Sequence, residues 1–309
     1  MPKLNISMTP VTDTTGYLFS LSKCLAAVLY ASPWADRAED SIAVSGFAFR
    51  IWIDRNSLCP SATSIWSFAS QKPWVENGGF ACEYVERLWG QDAAEEQQRL
   101  AALAMIRKSI DNGVGVVGWD ISGCEWGVIA GYDDEAGILH TVKINGEEGS
   151  LPYEKLGNLE IPILSVLAVT GITDKTDEQI YQDTKAIAAA HLRGEEWCDN
   201  AKGLEAFDAL IHCVKTLPED AAWNVEYALG TYGALRWYAQ EYFRKCFDAG
   251  FGDEELYTLY RRSYIEWDLA LRALREGSFA DAAVREKIAL HLQYAKQAET
   301  AALARLENR

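Results

Sequence analysis

The pattern of apolar and polar positions changes near residue 172. Before that point, short apolar runs alternate with polar residues and glycines, which is typical of strands mixed with short helices. From Thr176 onward, apolar residues recur with the helical period, which predicts helices over 178–192, 203–216, 221–247, 253–275 and 279–306. We therefore expect an α+β fold, with an N-terminal α+β domain over residues 1–172 and an α-helical C-terminal domain over residues 176–309.

Cap and turn residues divide the N-terminal half into elements. The clearest is a helix from Asp92 to Asn112-Gly113, with Glu95 completing a capping box at its start. An earlier helix is capped by Ser20 or Ser22. The remaining signals end that earlier helix at residue 30 and predict strands over 3–8, 42–53, 115–119 and 159–169, with short helices over 61–69 and 81–89.

A β-hairpin is predicted around the turn at residues 133–137. The turn is rich in acidic residues and ends in a glycine, as such turns require. If the two strands pair about it, residues whose numbers sum to about 270 face each other. His140 then lies opposite Ala130, and Trp126 lies opposite Ile144.

Composition and charge narrow the function classes. A formal net charge of -16 with scattered basic residues disfavours nucleic acid and anionic membranes as partners. The seven cysteines form no CxxC pair and no His-Cys cluster, so we expect no metal site, no disulfide framework and reduced thiols in a cytoplasm. The chain has no run of about 18 apolar residues and no nucleotide-binding motif, so we expect a soluble protein without a cofactor. Its oligomeric state is open, a homo-oligomer included.

Cys24 is the first candidate for chemistry. It lies at or near the start of a predicted helix, where backbone N–H groups and the helix dipole stabilise a thiolate, and Lys23 adds a positive charge. The alternative is that Cys24 is a small buried apolar residue, which is the commonest fate of a free cysteine.

The order of elements resembles the papain-like superfamily, in particular the C39-like peptidases and the relatives of butirosin biosynthesis protein H. The resemblance covers roughly residues 15–170. It depends on Lys-Cys24-Leu-Ala-Ala at a helix start, Ile110-Asp-Asn-Gly113 at a helix end, the strand 114–119 and the hairpin element Gly131-Tyr-Asp-Asp134. It implies a papain-like N-terminal domain whose antiparallel sheet packs on the Cys24 helix, and a cysteine served by a histidine and by an Asn or Asp.

The catalytic histidine of that pattern is not matched. Its position falls at Glu125 or Trp126. An indole cannot accept the thiol proton, and a carboxylate is a poor base unless burial raises its pKa. The alternative is that Glu125 is a solvated edge residue and that Trp126 fills the cleft. His140 would lie on the order of 13 Å from the histidine position, too far to act on the same sulfur.

Asn145 falls about where the third group of a papain-like site belongs. It follows the residue predicted to pair with Trp126, so it can be an orienting residue for a base there. The alternative is a turn residue, because Asn145-Gly146 is a strong turn dipeptide. The candidate catalytic residues are therefore Cys24, Glu125 and Asn145.

Aromatic residues are abundant, with 11 tryptophans and 14 tyrosines. The segment 221–247 is apolar on more than one face, so it is buried between other elements or lines a pocket. An aromatic core is the alternative to a ligand pocket between the two domains. The candidate ligand-binding residues are Trp126, Phe47, Phe49, Trp52 and Tyr232.

Two functions remain open at this point. The first is a cleft protein that binds a small-molecule or peptide-like ligand between its domains and has lost catalysis. The second is a thiol-dependent amide hydrolase or acyltransferase with Cys24 as nucleophile. The unmatched histidine favours the first.

Overall fold

The structure is a computed structural model that describes residues 2–64 and 67–307. It shows an α+β fold with antiparallel sheets and a helical C-terminal region. The predicted helix 61–69 includes residues 65 and 66, which lie outside the described residues. On either side of them the chain forms the 3₁₀ turns Pro60–Ser64 and Phe68–Ser70.

The helices and strands are labelled in chain order. The helices are α1 (Ser20–Tyr30), α2 (Ser41–Val44), α3 (Gln71–Asn77), α4 (Glu95–Asp111), α5 (Asp177–Arg193), α6 (Leu204–Thr216), α7 (Ala222–Asp248), α8 (Glu254–Glu276) and α9 (Ala282–Glu307). The strands are β1 (Trp52–Ile53), β2 (Phe80–Arg87), β3 (Val116–Gly118), β4 (Gly127–Asp133), β5 (Ile138–Val142), β6 (Glu148–Pro152), β7 (Leu164–Ile172) and β8 (Ala201–Lys202).

The chain divides into two compact units. The first contains residues 1–12, 20–42 and 68–175, and the second contains 13–19, 43–67 and 176–309. The predicted domains 1–172 and 176–309 share the boundary near Thr176 with these units. They differ because two early segments, 13–19 and 43–67, belong to the second unit.

An antiparallel sheet in the order β2-β7-β3-β4-β5-β6 organises the first unit. Helix α4 covers one face of this sheet, where Ile106 and Ile110 pack with Val116, Ile129 and other buried apolar residues. Helix α1 contacts the central strands β3 and β4. The expectation of an antiparallel sheet that contacts the Cys24 helix is therefore confirmed.

Strand register fixes which residues share the sheet face opposite α4. Paired residues on neighbouring strands point to the same side. Tyr84 pairs with Leu167, Leu167 with Val117, and Val117 with Val128, so these side chains form one row across four strands. Glu86 lies on the same face, two residues after Tyr84.

Five helices, α5 to α9, form most of the second unit, and their predicted bounds are correct to within a few residues. Helix α8 packs against α7 and α9, and α9 also contacts α5 and α6. Helix α7 is buried around its girth, as its sequence predicts, and one side of it packs on the turn Phe47–Phe49 of the same unit.

Three predicted elements are wrong. Residues 3–8 are not a strand and make only an isolated β-bridge between Lys3 and Gly131. Residues 81–89 are not a helix but belong largely to strand β2, which pairs with β7 along its whole length; this distant pairing outweighs the local helical preference of Ala81 and Glu83. Residues 42–53 are not a strand but comprise part of α2, a 3₁₀ turn and the short β1. Gly46, with φ of 81°, bends the chain there, and Phe47–Phe49 is buried.

The predicted capping box of α4 is also wrong. The chain enters α4 through a 3₁₀ turn, and the N-cap residue is Ala94, which makes no side-chain cap. A true capping box begins α5, where Thr176 accepts from the Gln179 backbone and the Gln179 side chain accepts from the Thr176 N–H. The predicted stop of α4 at Asn112-Gly113 is confirmed: Gly113 has φ of 81° and its N–H donates to the Ile110 carbonyl.

Candidate functional site

Cys24 lies in the second turn of α1, four residues after the helix begins, and it is completely buried. Burial raises the pKa of its thiol far above the ordinary value, the charge of Glu125 raises it further, and Lys23 opposes the shift. The expectation of an acidified thiol at a helix N-terminus is therefore wrong. Because α1 starts at Ser20, the helix N-terminus is not at Cys24, and desolvation dominates.

Glu125 is the one other predicted catalytic residue within electrostatic reach of Cys24. Its carboxylate accepts a hydrogen bond from the hydroxyl of Ser20, the first residue of α1. The negative charge disfavours a thiolate at Cys24. Glu125 therefore ties the start of α1 to the loop before β4, and its charge raises the pKa of the Cys24 thiol.

Trp126, one of the two residues that the papain-like resemblance places at the histidine position, is completely buried. Its ring packs against Trp119 and Phe68, with centroids 5.2 and 5.5 Å away. The ring centroids of Phe68 and Trp119 are 5.8 Å apart, so the three rings contact one another within the first unit. Among the predicted ligand-binding residues, Trp126 alone belongs to this unit.

Asn145 is an exposed turn residue, as the alternative interpretation of Asn145-Gly146 expected, and its role as an orienting residue stays a prediction. Its Oδ1 accepts from the Glu147 N–H at 3.0 Å, and the Gly146 N–H donates to the Lys143 carbonyl at 2.9 Å. The predicted register holds for Val128 opposite Val142. A bulge at Ala130 then places His140 opposite Gly131, one residue from the predicted partner.

A directed chain of hydrogen bonds crosses the sheet face opposite α4. The Tyr84 hydroxyl donates to Glu86 Oε2 at 2.9 Å, since a carboxylate only accepts. The Ser165 hydroxyl, 2.9 Å from Tyr84 Oη, must then donate to Tyr84. Gln71 Nε2 donates to Ser165 Oγ at 3.3 Å. Burial raises the pKa of Tyr84 well above its usual range, which keeps the phenol protonated.

Sequence reasoning missed this chain of residues. Its members come from α3, β2 and β7, and they meet only through the β2–β7 pairing. The period-2 alternation of Tyr84 and Glu86 was the available signal, but the prediction of a helix over 81–89 hid it.

A second polar cluster lies inside the second unit around Arg50. The guanidinium of Arg50 lies 4.3 Å from the Phe47 ring and 4.1 Å from the Trp52 ring, and burial lowers the pKa of this group to about 9. Glu196 Oε1 accepts from Trp52 Nε1 at 2.9 Å and lies 3.1 Å from His191 Nδ1. Burial lowers the pKa of His191, so its imidazole is neutral near pH 7.

The four other predicted ligand-binding residues, Phe47, Phe49, Trp52 and Tyr232, all lie in the second unit and are buried. The Trp52 N–H donates to the Tyr232 hydroxyl at 2.9 Å, and that hydroxyl donates back to the Trp52 carbonyl. The cavity lined by Trp52 and Tyr232 has a volume of about 10 Å³, enough for one water molecule. These residues are packed in the core of the second unit, and their role as a ligand wall stays a prediction.

Gly46 lies against His191 of the Arg50 cluster with no room for a Cβ atom. We expect Gly46→Ala to lower the free energy of unfolding by about 2–4 kcal/mol. Gly46 has φ of 81°, and an added Cβ would lie 2.7 Å from His191 Nε2 and 2.8 Å from Ile187 Cδ1. The control is Gly16→Ala, at φ of 86° with nothing within 4 Å, which should cost only about 1–2 kcal/mol of backbone strain. Urea denaturation measures both, and equal losses would contradict the prediction.

Two further properties complete the description of residues 2–64 and 67–307. They contain no group of three or more His, Cys, Asp or Glu side chains arranged to hold a metal ion. No helix among them has the length and hydrophobicity that crossing a membrane requires.

Comparison with known proteins gives no match, either to a protein-family model or to a curated protein.

Proposed function

We propose that this protein binds a small-molecule or peptide-like ligand, and that its first unit is a papain-like shell without cysteine catalysis. The observation that carries the proposal is Trp126, a fully buried tryptophan that, with Glu125, falls where the papain-like pattern has its histidine. Nucleophilic catalysis by cysteine needs a thiolate and a base that can take its proton. Burial raises the pKa of the Cys24 thiol, and an indole cannot take its proton, which supports a role without catalysis.

The state of Cys24 supports the same proposal. Its thiol is completely buried, and burial together with the charge of Glu125 keeps it protonated. A papain-like nucleophile has the opposite properties, a depressed pKa and access to its substrate. The retained features of the fold, a helix with a cysteine packed on an antiparallel sheet, therefore support a scaffold that positions other groups.

The competing function is amide hydrolysis or acyl transfer through Cys24. It predicts that an activated acyl donor transfers its acyl group to the Cys24 sulfur, with loss of the leaving group. We expect no such transfer when the protein is incubated with p-nitrophenyl acetate or with S-acetyl-N-acetylcysteamine and the digested peptides are examined by mass spectrometry.

Two variants make this experiment specific. Cys59→Ser removes the exposed thiol, which is the main site of background acylation. Cys24→Ala then shows whether any remaining release of nitrophenol or N-acetylcysteamine depends on Cys24. Acetyl on the Cys24 peptide in Cys59→Ser, with turnover that Cys24→Ala abolishes, would establish the enzyme and overturn the proposal.

A further inference from the structure

The hydrogen-bond chain across the sheet of the first unit fixes the orientation of one buried amide. Glu86 sets the direction, because its carboxylate accepts from Tyr84, and Tyr84 must then accept from Ser165. The Ser165 oxygen is left to accept, so Gln71 presents its Nε2 to Ser165. The carbonyl oxygen of Gln71 consequently points away from Ser165.

Two buried polar groups beside this chain have no hydrogen-bond partner among residues 2–64 and 67–307. One is the acceptor Gln71 Oε1, in a side chain that is 1% exposed, and the other is the donor Trp119 Nε1, in a side chain that is 7% exposed. Both residues bond to Ser165, since the Trp119 N–H donates to the Ser165 carbonyl at 2.9 Å. A buried donor and a buried acceptor without partners are costly, so a pair of them around one residue requires an explanation.

Aromatic rings adjoin the Trp119 indole. The Trp119 indole packs against Phe68 and Trp126. Phe68 lies in the 3₁₀ turn immediately before α3, which begins with Gln71, and its neighbours Ser67 and Ala69 are exposed. The orphan donor therefore lies against aromatic rings, and the orphan acceptor belongs to the helix that follows the surface turn of Phe68. Apolar rings with few polar groups are the combination that ligand sites show.

We propose that Gln71 Oε1 and Trp119 Nε1 recognise the amide group of a peptide-like ligand. The Gln71 carbonyl accepts from the amide N–H, the Trp119 indole donates to the amide C=O, and the rings of Phe68 and Trp126 contact the adjoining side chain. Both protein groups are uncharged, which suits a neutral amide and disfavours a carboxylate or an ammonium group. The assignment rests on the proposed binding function and gives that function a ligand class.

Nuclear magnetic resonance of the full chain with ¹⁵N-labelled tryptophan tests the proposal. The probe is N-benzylacetamide, which combines an aromatic ring with one secondary amide, and its isostere benzyl acetate lacks the N–H. We expect N-benzylacetamide to move the indole proton resonance of Trp119, assigned with Trp119→Phe, in a saturable way. The control is Trp267, a buried residue of the second unit whose Nε1 also has no hydrogen-bond partner among the described residues. Its indole resonance should not move.

The probe pair and two variants separate recognition from mere proximity. Benzyl acetate should bind about tenfold more weakly, because its ester oxygen faces the Gln71 carbonyl, acceptor against acceptor. Gln71→Met should reduce the affinity for the amide by about fivefold to tenfold. Tyr84→Phe removes the acceptor of Ser165, so the Gln71 amide can turn over. The preference for amide over ester should then shrink, which a purely structural role of Tyr84 would not produce.

Three results would overturn the inference. If no indole resonance moves, an internal water satisfies Gln71 and Trp119. If the Trp119 resonance moves equally with both probes, Gln71 does not recognise the amide N–H. Movement of other indoles without Trp119 would place the ligand elsewhere and leave the proposed binding function standing. Acylation of Cys24, by contrast, would defeat the proposed function without bearing on Trp119, so the two failures are distinguishable.

Discussion

Glu299→Ala is expected to lower the free energy of unfolding by about 3–5 kcal/mol, because it leaves the charge of Arg236 buried without its partner. Glu299 and Arg236 are both completely buried in the second unit and form a bidentate pair, with two N–O distances of 2.8 Å. Ser263 also donates to Glu299 at 2.6 Å. Removing the carboxylate leaves a buried guanidinium and a buried hydroxyl without their shared partner. Urea denaturation followed by circular dichroism measures the resulting loss in the free energy of unfolding.

The same helix provides a matched control. Lys296 of α9 pairs with Asp208 at 2.7 Å, but the two side chains are 30% and 63% exposed. Lys296→Ala should therefore change the free energy of unfolding by less than about 1 kcal/mol. A loss for Glu299→Ala no larger than that for Lys296→Ala would show that the buried pair has no special role.

A double variant tests the cause of the loss. Arg236→Met together with Glu299→Leu removes both charges and should recover part of the stability lost in Glu299→Ala. The recovery should be incomplete, because Arg236 also donates to the Arg50 carbonyl at 2.8 Å. In the double variant this carbonyl loses its hydrogen bond from Arg236. A double variant no more stable than Glu299→Ala would contradict the explanation by an uncompensated charge.

The helices of the second unit could be predicted because their signal is local. A period of 3.6 and caps such as Thr176 and Gly194 are contained within one segment, so no knowledge of partners is needed. Strand β2 could not be predicted in the same way. Its identity depends on β7, a partner far along the chain, and its Ala and Glu residues favour a helix locally.

The candidate site was accessible to sequence reasoning only in part. The hairpin register at Val128 followed from a turn and an alternation, which are local features. The burial of Cys24 and the chain from Gln71 to Glu86 depend on how separate segments pack, so the sequence pattern alone did not show them. A residue such as Cys24 has the same local sequence whether it is a nucleophile or a core residue, and its surroundings decide between the two.

Cys24 is expected to react with iodoacetamide at least about a thousandfold more slowly than Cys59, since only the thiolate reacts and each unit of raised pKa lowers its fraction tenfold. Cys59 is exposed, whereas Cys24 is completely buried with a strongly raised pKa. Peptide mass spectrometry after timed labelling ranks the seven cysteines. In denaturant the two should react at similar rates, which shows that the difference arises from folding.

The pH dependence identifies the cause of the slow reaction. Because the pKa of Cys24 is raised in the folded protein, its thiolate fraction should keep rising about tenfold per pH unit between pH 7 and pH 9, without a plateau. Glu125→Gln should accelerate labelling of Cys24, since the Glu125 charge raises that pKa. The control is Glu160→Gln, which removes a charge beside Cys124 and should leave Cys24 unchanged. Labelling of Cys24 ahead of Cys59 at pH 7, with a plateau below pH 8, would reveal an accessible thiolate. It would favour the cysteine-dependent enzyme over the binding protein, because a core residue cannot ionise so readily.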